Sequence, residues 1–214
     1  MTKIGILGSG NVGQTLGLGL VKLGYEVMIG TRSPDKLAEW KKNAGEKASV
    51  GSFEDSAKFG QIIFLCTKWE GTENAISMAN PENFKAKIVV DVTNPLAFRE
   101  EGKAPVPSLS YPESGGLMVQ KLLPKAKVVK AFNTIPAHYM TNPKLEEGTP
   151  TLFICGDDVE AKKIVSEIAG KWGWEIINMG GMDEAYLLEN LAMLYIHYSF
   201  RNNNWTAAFK LLRK

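Results

Sequence analysis

Glycines at positions 8, 10 and 13, in "ILGSGNVGQTLG", carry the spacing G-x-G-x-x-G. This is the backbone pattern of a cradle for a pyrophosphate. Gly8 permits a tight turn, Gly10 lets the main chain approach the anion, and Gly13 lets a helix sit close on the preceding strand. Free N–H groups at the start of that helix then face the negative charge. The triplet alone is a weak signal, but here it follows the apolar run "KIGIL" and opens a helix-like segment over Val12–Leu23. A second stretch, "VMIGTRSPDK" at 27–36, bears on which dinucleotide is held. A carboxylate at the end of the second strand would bind both ribose hydroxyls of NAD and repel a 2′-phosphate. This chain has Thr31, Arg32, Ser33 and Lys36 there instead. The guanidinium fork matches a phosphate, the lysine adds a point charge, and the hydroxyls can donate to the same oxygens. The sequence therefore predicts NADP rather than NAD.

Three further strand ends are marked: "CTKWE", "DVTNPLA" and "KAFNTIPA". Ligands in open α/β sheets lie across the carboxyl ends of the strands, so Thr67, Asn94 and Asn133 are placed to meet the nicotinamide half of the cofactor. Pro95 and Pro136 stop the strands and fix the turns. No acid–base machinery accompanies them. Tyr139 and Lys144 are five apart with Pro143 between them, which is not the Y-x-x-x-K of short-chain dehydrogenases. His138 reads as a loop histidine and His197, in "LYIHYSF", as a packed helix residue. Asp157–Asp158 and Asp183–Glu184 open predicted helices, where capping explains them. No His, Cys and carboxylate cluster has metal-ligand spacing. The expectation is a cofactor site with no dedicated catalytic residue and no metal. That combination suits direct hydride passage between NADPH and another redox ring, the protein supplying orientation and exclusion of water. Tyr111 and Tyr139 are the loop tyrosines able to donate a proton.

The elements that must position these residues follow from hydropathy. Short β-branched runs ("KIGIL", "EVMIG", "QIIFLC", "KIVVDV", "KVVKAF", "TLFICG", "WEIINM") alternate with amphipathic stretches such as Pro34–Asn43, Thr72–Met78, Gly116–Leu123 and Val159–Trp172. Continuous apolar runs mean strands buried on both faces, so the fold class is α/β, a doubly wound and mostly parallel sheet covered by helices. Leu96–Glu113, with three prolines, reads as a long surface loop of the kind that covers sites. Asp183–Arg213 reads as helical. The predicted organisation is a cofactor-binding domain over 1–182 and a C-terminal helical extension over 183–214, packed on that domain or on a second subunit.

Composition narrows the partners. The 214 residues are 44% hydrophobic and 22% charged, with a net charge of +2 spread along the chain, so no basic stripe points to nucleic acid. No apolar stretch approaches the roughly 20 residues that span a bilayer. The apolar strand opening at residue 3 leaves no room for a signal peptide, which predicts a cytoplasmic protein. Cys66 and Cys155 each end an apolar run and read as buried free thiols.

At these motifs the chain resembles the NADPH-dependent F420 reductase family, which includes the cytosolic domain of the STEAP metalloreductases. The matching pieces are "IGILGSGNVGQTLGLGLVKLGYEVMIGTRSPDK", "VDVTNPL", "ESGGLMVQKLLPKAKVVKAFNTI" and "AFKLLR". The resemblance implies a Rossmann domain that binds NADP and passes hydride to F420 or a flavin, a small-molecule redox partner, and a homodimer. By it, Ser9, Asn11 and Val12 join the phosphate loop, Thr31, Arg32, Ser33 and Lys36 hold the 2′-phosphate, and Asn94, Ala131 and Asn133 lie near the nicotinamide. The chain departs from the family pattern at "LENLAML", with Asn190 for a proline, and at "RNNNWTAAF", where a glycine-rich stretch precedes the last helix. Two other readings stay open: a reductase of a small imine or carbonyl, and an NADPH-sensing module without chemistry.

Overall fold

The computed structural model describes residues 2–213. β1 (Lys3–Leu7), α1 (Asn11–Lys22) and β2 (Glu26–Gly30) open the chain. A 3-10 turn at Pro34–Leu37 leads to α2 (Ala38–Ala44), β3 (Ala48–Gly51) and α3 (Phe53–Phe59). Next come β4 (Ile62–Leu65), α4 (Thr72–Met78) and β5 (Ile88–Asp91). A small hairpin of β6 (Leu96–Ala97) and β7 (Val106–Pro107) precedes α5 (Gly115–Leu122) and β8 (Lys127–Lys130). β9 (Thr151–Ile154), α6 (Val159–Lys171), β10 (Glu175–Asn178) and α7 (Ala185–Asn202) follow.

Six strands form one sheet in the order β3-β2-β1-β4-β5-β8, and every neighbouring pair is parallel. Alternation along each strand feeds a core on both faces. Ile62 and Phe64 of β4 join Ile4, Ile6, Leu16 and Leu20, whereas Ile63 and Leu65 join Leu7, Phe53 and Val119. This is the expected doubly wound α/β sheet. Its order reverses between β1 and β4, the switch point at which such sheets bind dinucleotides. β3 and α3 are absent from the sequence expectations, although "SFED" spells a capping box. Ser52 Oγ accepts from Asp55 N at 3.1 Å, and Asp55 Oδ2 accepts from Ser52 N at 3.0 Å.

Two expectations are corrected. The last two predicted strands do not extend the main sheet; β9 and β10 pair in a sheet of their own. A further parallel strand needs a helical crossover, and residues 131–150 supply only a 3-10 turn, with Pro136, Pro143 and Pro150. The chain therefore returns antiparallel to β8 and meets it at a bridge between Lys130 and Cys155. The C-terminal helix is present as α7 but ends at Asn202, not Arg213. Asn203 takes the left-handed conformation (φ 46°), and Asn204 Oδ1 accepts from Thr206 N and Oγ1, which turns the chain out of the helix. The stretch beyond runs beside β9, where Thr151 N donates to the Phe209 carbonyl at 2.9 Å and Leu211 N to Thr151 Oγ1 at 3.0 Å. Met1 and Lys214, the outer limits of the two predicted segments, lie outside the described residues. Among the described residues, no helix is long and apolar enough to cross a membrane.

Candidate cofactor site

The glycine loop joins β1 to α1 at the switch point. Gly8 has φ +120°, and a Cβ there would stand 2.5 Å from the Cys66 carbonyl. A Cβ at Gly13 would stand 2.1 Å from the Gly8 carbonyl, so the helix rests on the turn as closely as backbone permits. Gly10 is different: a Cβ there would meet nothing within 4 Å. It occupies the N-cap of α1, which has no side-chain cap and no acidic residue in its first turn. The first N–H groups of the helix, from Asn11, Val12 and Gly13, have no acceptor within it and carry the positive end of its dipole.

The β2 tip is tied to this loop. Ser9 Oγ and Thr31 Oγ1 lie 2.9 Å apart, and Ser33 N donates to Thr31 Oγ1 at 3.1 Å. Arg32 and Lys36 are exposed on the same turn. Neither has an ion-pair partner among the described residues. Two cations beside an uncapped helix end, neither in a salt bridge among the described residues although Asp35 shares their turn, suit a phosphorylated ligand.

At the far strand ends, Asn94 and Asn133 lock together. Asn94 Nδ2 donates to the Asn133 carbonyl at 2.8 Å, and Asn133 Nδ2 donates to Asn94 Oδ1 at 3.0 Å. Phe132, packed between Phe64, Trp172 and Trp174, takes φ +62° and turns the chain so that the amides meet. Asn133 Oδ1 is buried without a hydrogen-bond partner, whereas Asn94 lines the open groove beside it. Thr67 Oγ1 lies 2.8 Å from Thr72 Oγ1 at the end of β4. Ala131 is fully buried with its N–H on the Asp91 carbonyl, so it packs beneath the site. Sequence reasoning missed a buried cluster just below the amides, formed by Asp91, Lys130 and Glu189. Its signal was a charged residue at the inner end of each apolar run "IVVD" and "KVVK" and in the helix "LLENLAM".

Residues 3–95 match the family model described as NADP oxidoreductase, coenzyme F420-dependent. An F420-dependent NADP reductase of Methanocaldococcus jannaschii is 33% identical over 207 residues, covering 91% of this chain and 91% of that protein. This chain belongs to the F420-dependent NADP oxidoreductase family. A crystal structure from Arthrobacter sp. FB24, which carries a provisional F420-dependent NADP-reductase name, superposes with a TM-score of 0.93 at 32% identity over 100% of both chains. The rat metalloreductase STEAP3 is 32% identical over 195 residues; these make up 89% of this chain but 36% of STEAP3, so the chain spans about a third of that relative.

Within this family member, two cavities meet at Leu96 beside the amides. One, of 310 Å³, is lined by Thr67, Trp69, Thr93, Asn94 and Phe98. The other, of 370 Å³, lies between residues 95–113 and α7 and is walled by Tyr111, Tyr186, Glu189 and Asn190. The predicted long loop thus walls a cavity. Tyr111 meets Tyr186 edge-on at 5.1 Å. His197 is not packed in the core as expected; it is exposed, with Nε2 2.9 Å from the Pro105 carbonyl, and fastens the loop to α7. His138 is exposed with its ring tilted against Tyr139 at 4.2 Å, and neither lines these two cavities. Cys66 and Cys155 are buried and free. Burial pushes the Cys155 thiol up to about 12 and raises Cys66 as well, so both stay protonated and inert.

Proposed function

We propose that this chain passes a hydride between NADP(H) and a flavin-type ring, either a flavin or the deazaflavin F420. The observation that carries the reading is the set of unneutralised anion-facing groups on one sheet edge: the uncapped start of α1 over Gly10, and the unpaired Arg32 and Lys36 one strand away. A pyrophosphate and a 2′-phosphate of one dinucleotide need that pair of sites. Gly8, Ser9, Gly10, Asn11, Val12 and Gly13 would hold the first, and Thr31, Arg32, Ser33 and Lys36 the second. Thr67, Asn94 and Asn133 would meet the nicotinamide half, with Ala131 as support. When bound, the nicotinamide ring supplies or takes up the hydride. The 370 Å³ cavity offers the acceptor two aromatic walls, and it shares Leu96 with the groove of Thr67 and Asn94.

In this reading residues 1–182 carry the cofactor, and 183–214 wall the acceptor through Tyr186, Glu189 and Asn190. We extend it to a cytoplasmic homodimer, for which Leu187, Leu194 and Tyr198 on α7 offer an exposed apolar stripe. Sedimentation equilibrium at twice 23.5 kDa is the expected result. The function is tested by NADPH oxidation at 340 nm with F420, FMN and a cyclic imine. Turnover with a ring acceptor is expected. Turnover with the imine and none with the rings would replace the reading by an imine reductase. Tight binding with no turnover of any acceptor would replace it by an NADPH-sensing module.

A further inference from the structure

Lys130 is 0% exposed. Its ammonium donates to Asp91 Oδ2 at 2.7 Å, the Thr93 carbonyl at 2.9 Å and Glu189 Oε1 at 3.0 Å. An ammonium has three donors, and each one is used. Asp91 Oδ1 in turn accepts from Thr93 N at 2.9 Å and Thr93 Oγ1 at 2.7 Å. Glu189, 6% exposed, accepts the Gly116 and Gly115 N–H groups at 3.0 Å on Oε1 and Oε2 respectively. Two carboxylates against one ammonium leave a net negative charge, and it sits on the positive end of α5. Burial by itself would pull the Lys130 pKa down, but Asp91 and Glu189 outweigh it and hold the group above the ordinary lysine value.

Stability does not account for such a cluster, because replacing buried ion sets by apolar residues is often neutral or stabilising. Its placement does. Asn94 follows Asp91 by three residues, Asn133 follows Lys130 by three, and Leu188 precedes Glu189 by one. These form a second layer directly above the charges: the reciprocal Asn94–Asn133 pair, with Asn133 Nδ2 also donating to the Leu188 carbonyl at 3.1 Å. Every segment that enters the amide layer is anchored by a charge beneath it. The one atom left over is Asn133 Oδ1, buried and unpartnered.

We propose that the Asp91–Lys130–Glu189 cluster is a positioning device: it fixes the Asn94–Asn133 pair, and through Asn94, which lines the 310 Å³ groove, the seat of the nicotinamide carboxamide. The proposal rests on the NADP reading above. Towards the nicotinamide, Asp91, Lys130 and Glu189 act through the amides and are positioning residues, and Glu189 also borders the acceptor cavity. Glu189→Gln tests it, because either orientation of the new amide sets an NH2 donor against an N–H or ammonium already donating there. Thr93→Val is the gentler second variant: it removes the Oγ1 donor to Asp91 at nearly constant volume on the groove wall, and Thr93→Ser, which keeps that donor, is its control.

Two ligands separate the halves of the site: 2′,5′-ADP, which lacks the nicotinamide, and NADPH. The variants are expected to bind 2′,5′-ADP as tightly as the native protein. NADPH should bind at least about fivefold more weakly to Glu189→Gln, the loss of one hydrogen bond, and less so to Thr93→Val. The fluorescence lifetime of bound NADPH should move towards that of the free cofactor in the same order. Unchanged NADPH affinity and lifetime in folded variants would overturn the proposal. So would equal weakening of both ligands, which would make the cluster a general support of the fold. A native protein that gains nothing from NADPH over 2′,5′-ADP would refute the nicotinamide placement itself and the proposal with it.

Discussion

Replacing Arg32 by alanine separates the phosphate contact from the fold. Arg32 is exposed and unpaired among the described residues, so its removal leaves no buried group behind and the melting temperature should not move. A hydrogen bond to a charged group contributes roughly 1.5–3 kcal/mol. Solvent screens an exposed guanidinium, which puts Arg32 in the lower part of that range, about 1.5–2 kcal/mol. The dissociation constant for NADPH should therefore rise roughly 10- to 30-fold. NADH has no 2′-phosphate and should bind the variant and the native protein alike. Lys36 remains in place, so a residual preference for NADPH should survive and shrink with added salt. Titration calorimetry of both cofactors at two ionic strengths measures all of this. Equal losses for NADH and NADPH would show that Arg32 supports the turn rather than the phosphate. A native protein that binds NADH as tightly as NADPH would refute the reasoning altogether.

Gly10→Val should fold normally, because a Cβ at that position meets nothing, yet lose both NADPH and NADH in calorimetry because the branches fill the space of the pyrophosphate. Gly13→Ala should do the opposite in part, lowering the melting temperature together with cofactor affinity, since its Cβ would stand 2.1 Å from the Gly8 carbonyl. Ser52→Ala removes the α3 capping box and should cost about 1 kcal/mol, roughly 2–4 °C in melting temperature, with cofactor binding untouched. The buried Cys155 thiol, held near 12 in the folded chain against a usual 9.0, makes stability fall as pH rises. The unfolded chain loses this proton from about pH 9 upward while the native chain keeps it, so the contribution is full below that pH and lost towards 12. Cys155→Ala should flatten the alkaline limb of a melting-temperature profile, and both thiols should resist alkylation in the native protein at pH 8.

The arrangement of the proposed cofactor half was legible because it is local. Gly8, Gly10 and Gly13 lie within one turn, and Thr31, Arg32, Ser33 and Lys36 within the next, so sequence spacing and spatial arrangement coincide. Alternating apolar runs likewise announced the parallel sheet. What escaped depends on contacts between distant segments. Asp91, Lys130 and Glu189 are separated by 39 and 59 positions and meet only once β5, β8 and α7 are in place. β9 and β10 are apolar enough to pass for central strands, and only the helix-free return through residues 131–150 assigns them to their own sheet. α7 loses its last turns to three consecutive asparagines, Asn202, Asn203 and Asn204, whose side chains compete with the helix for backbone partners.

The extended stretch after α7 also protects the molecule from itself. A two-stranded sheet exposes a ready template along its outer side, onto which a neighbouring chain can add a strand. Here Phe209 and Leu211 already occupy the groups that Thr151 would offer, and Lys210 pairs with Glu175 across the top. By leaving the helix where it does, the chain closes the β9 side of the small sheet against strand addition.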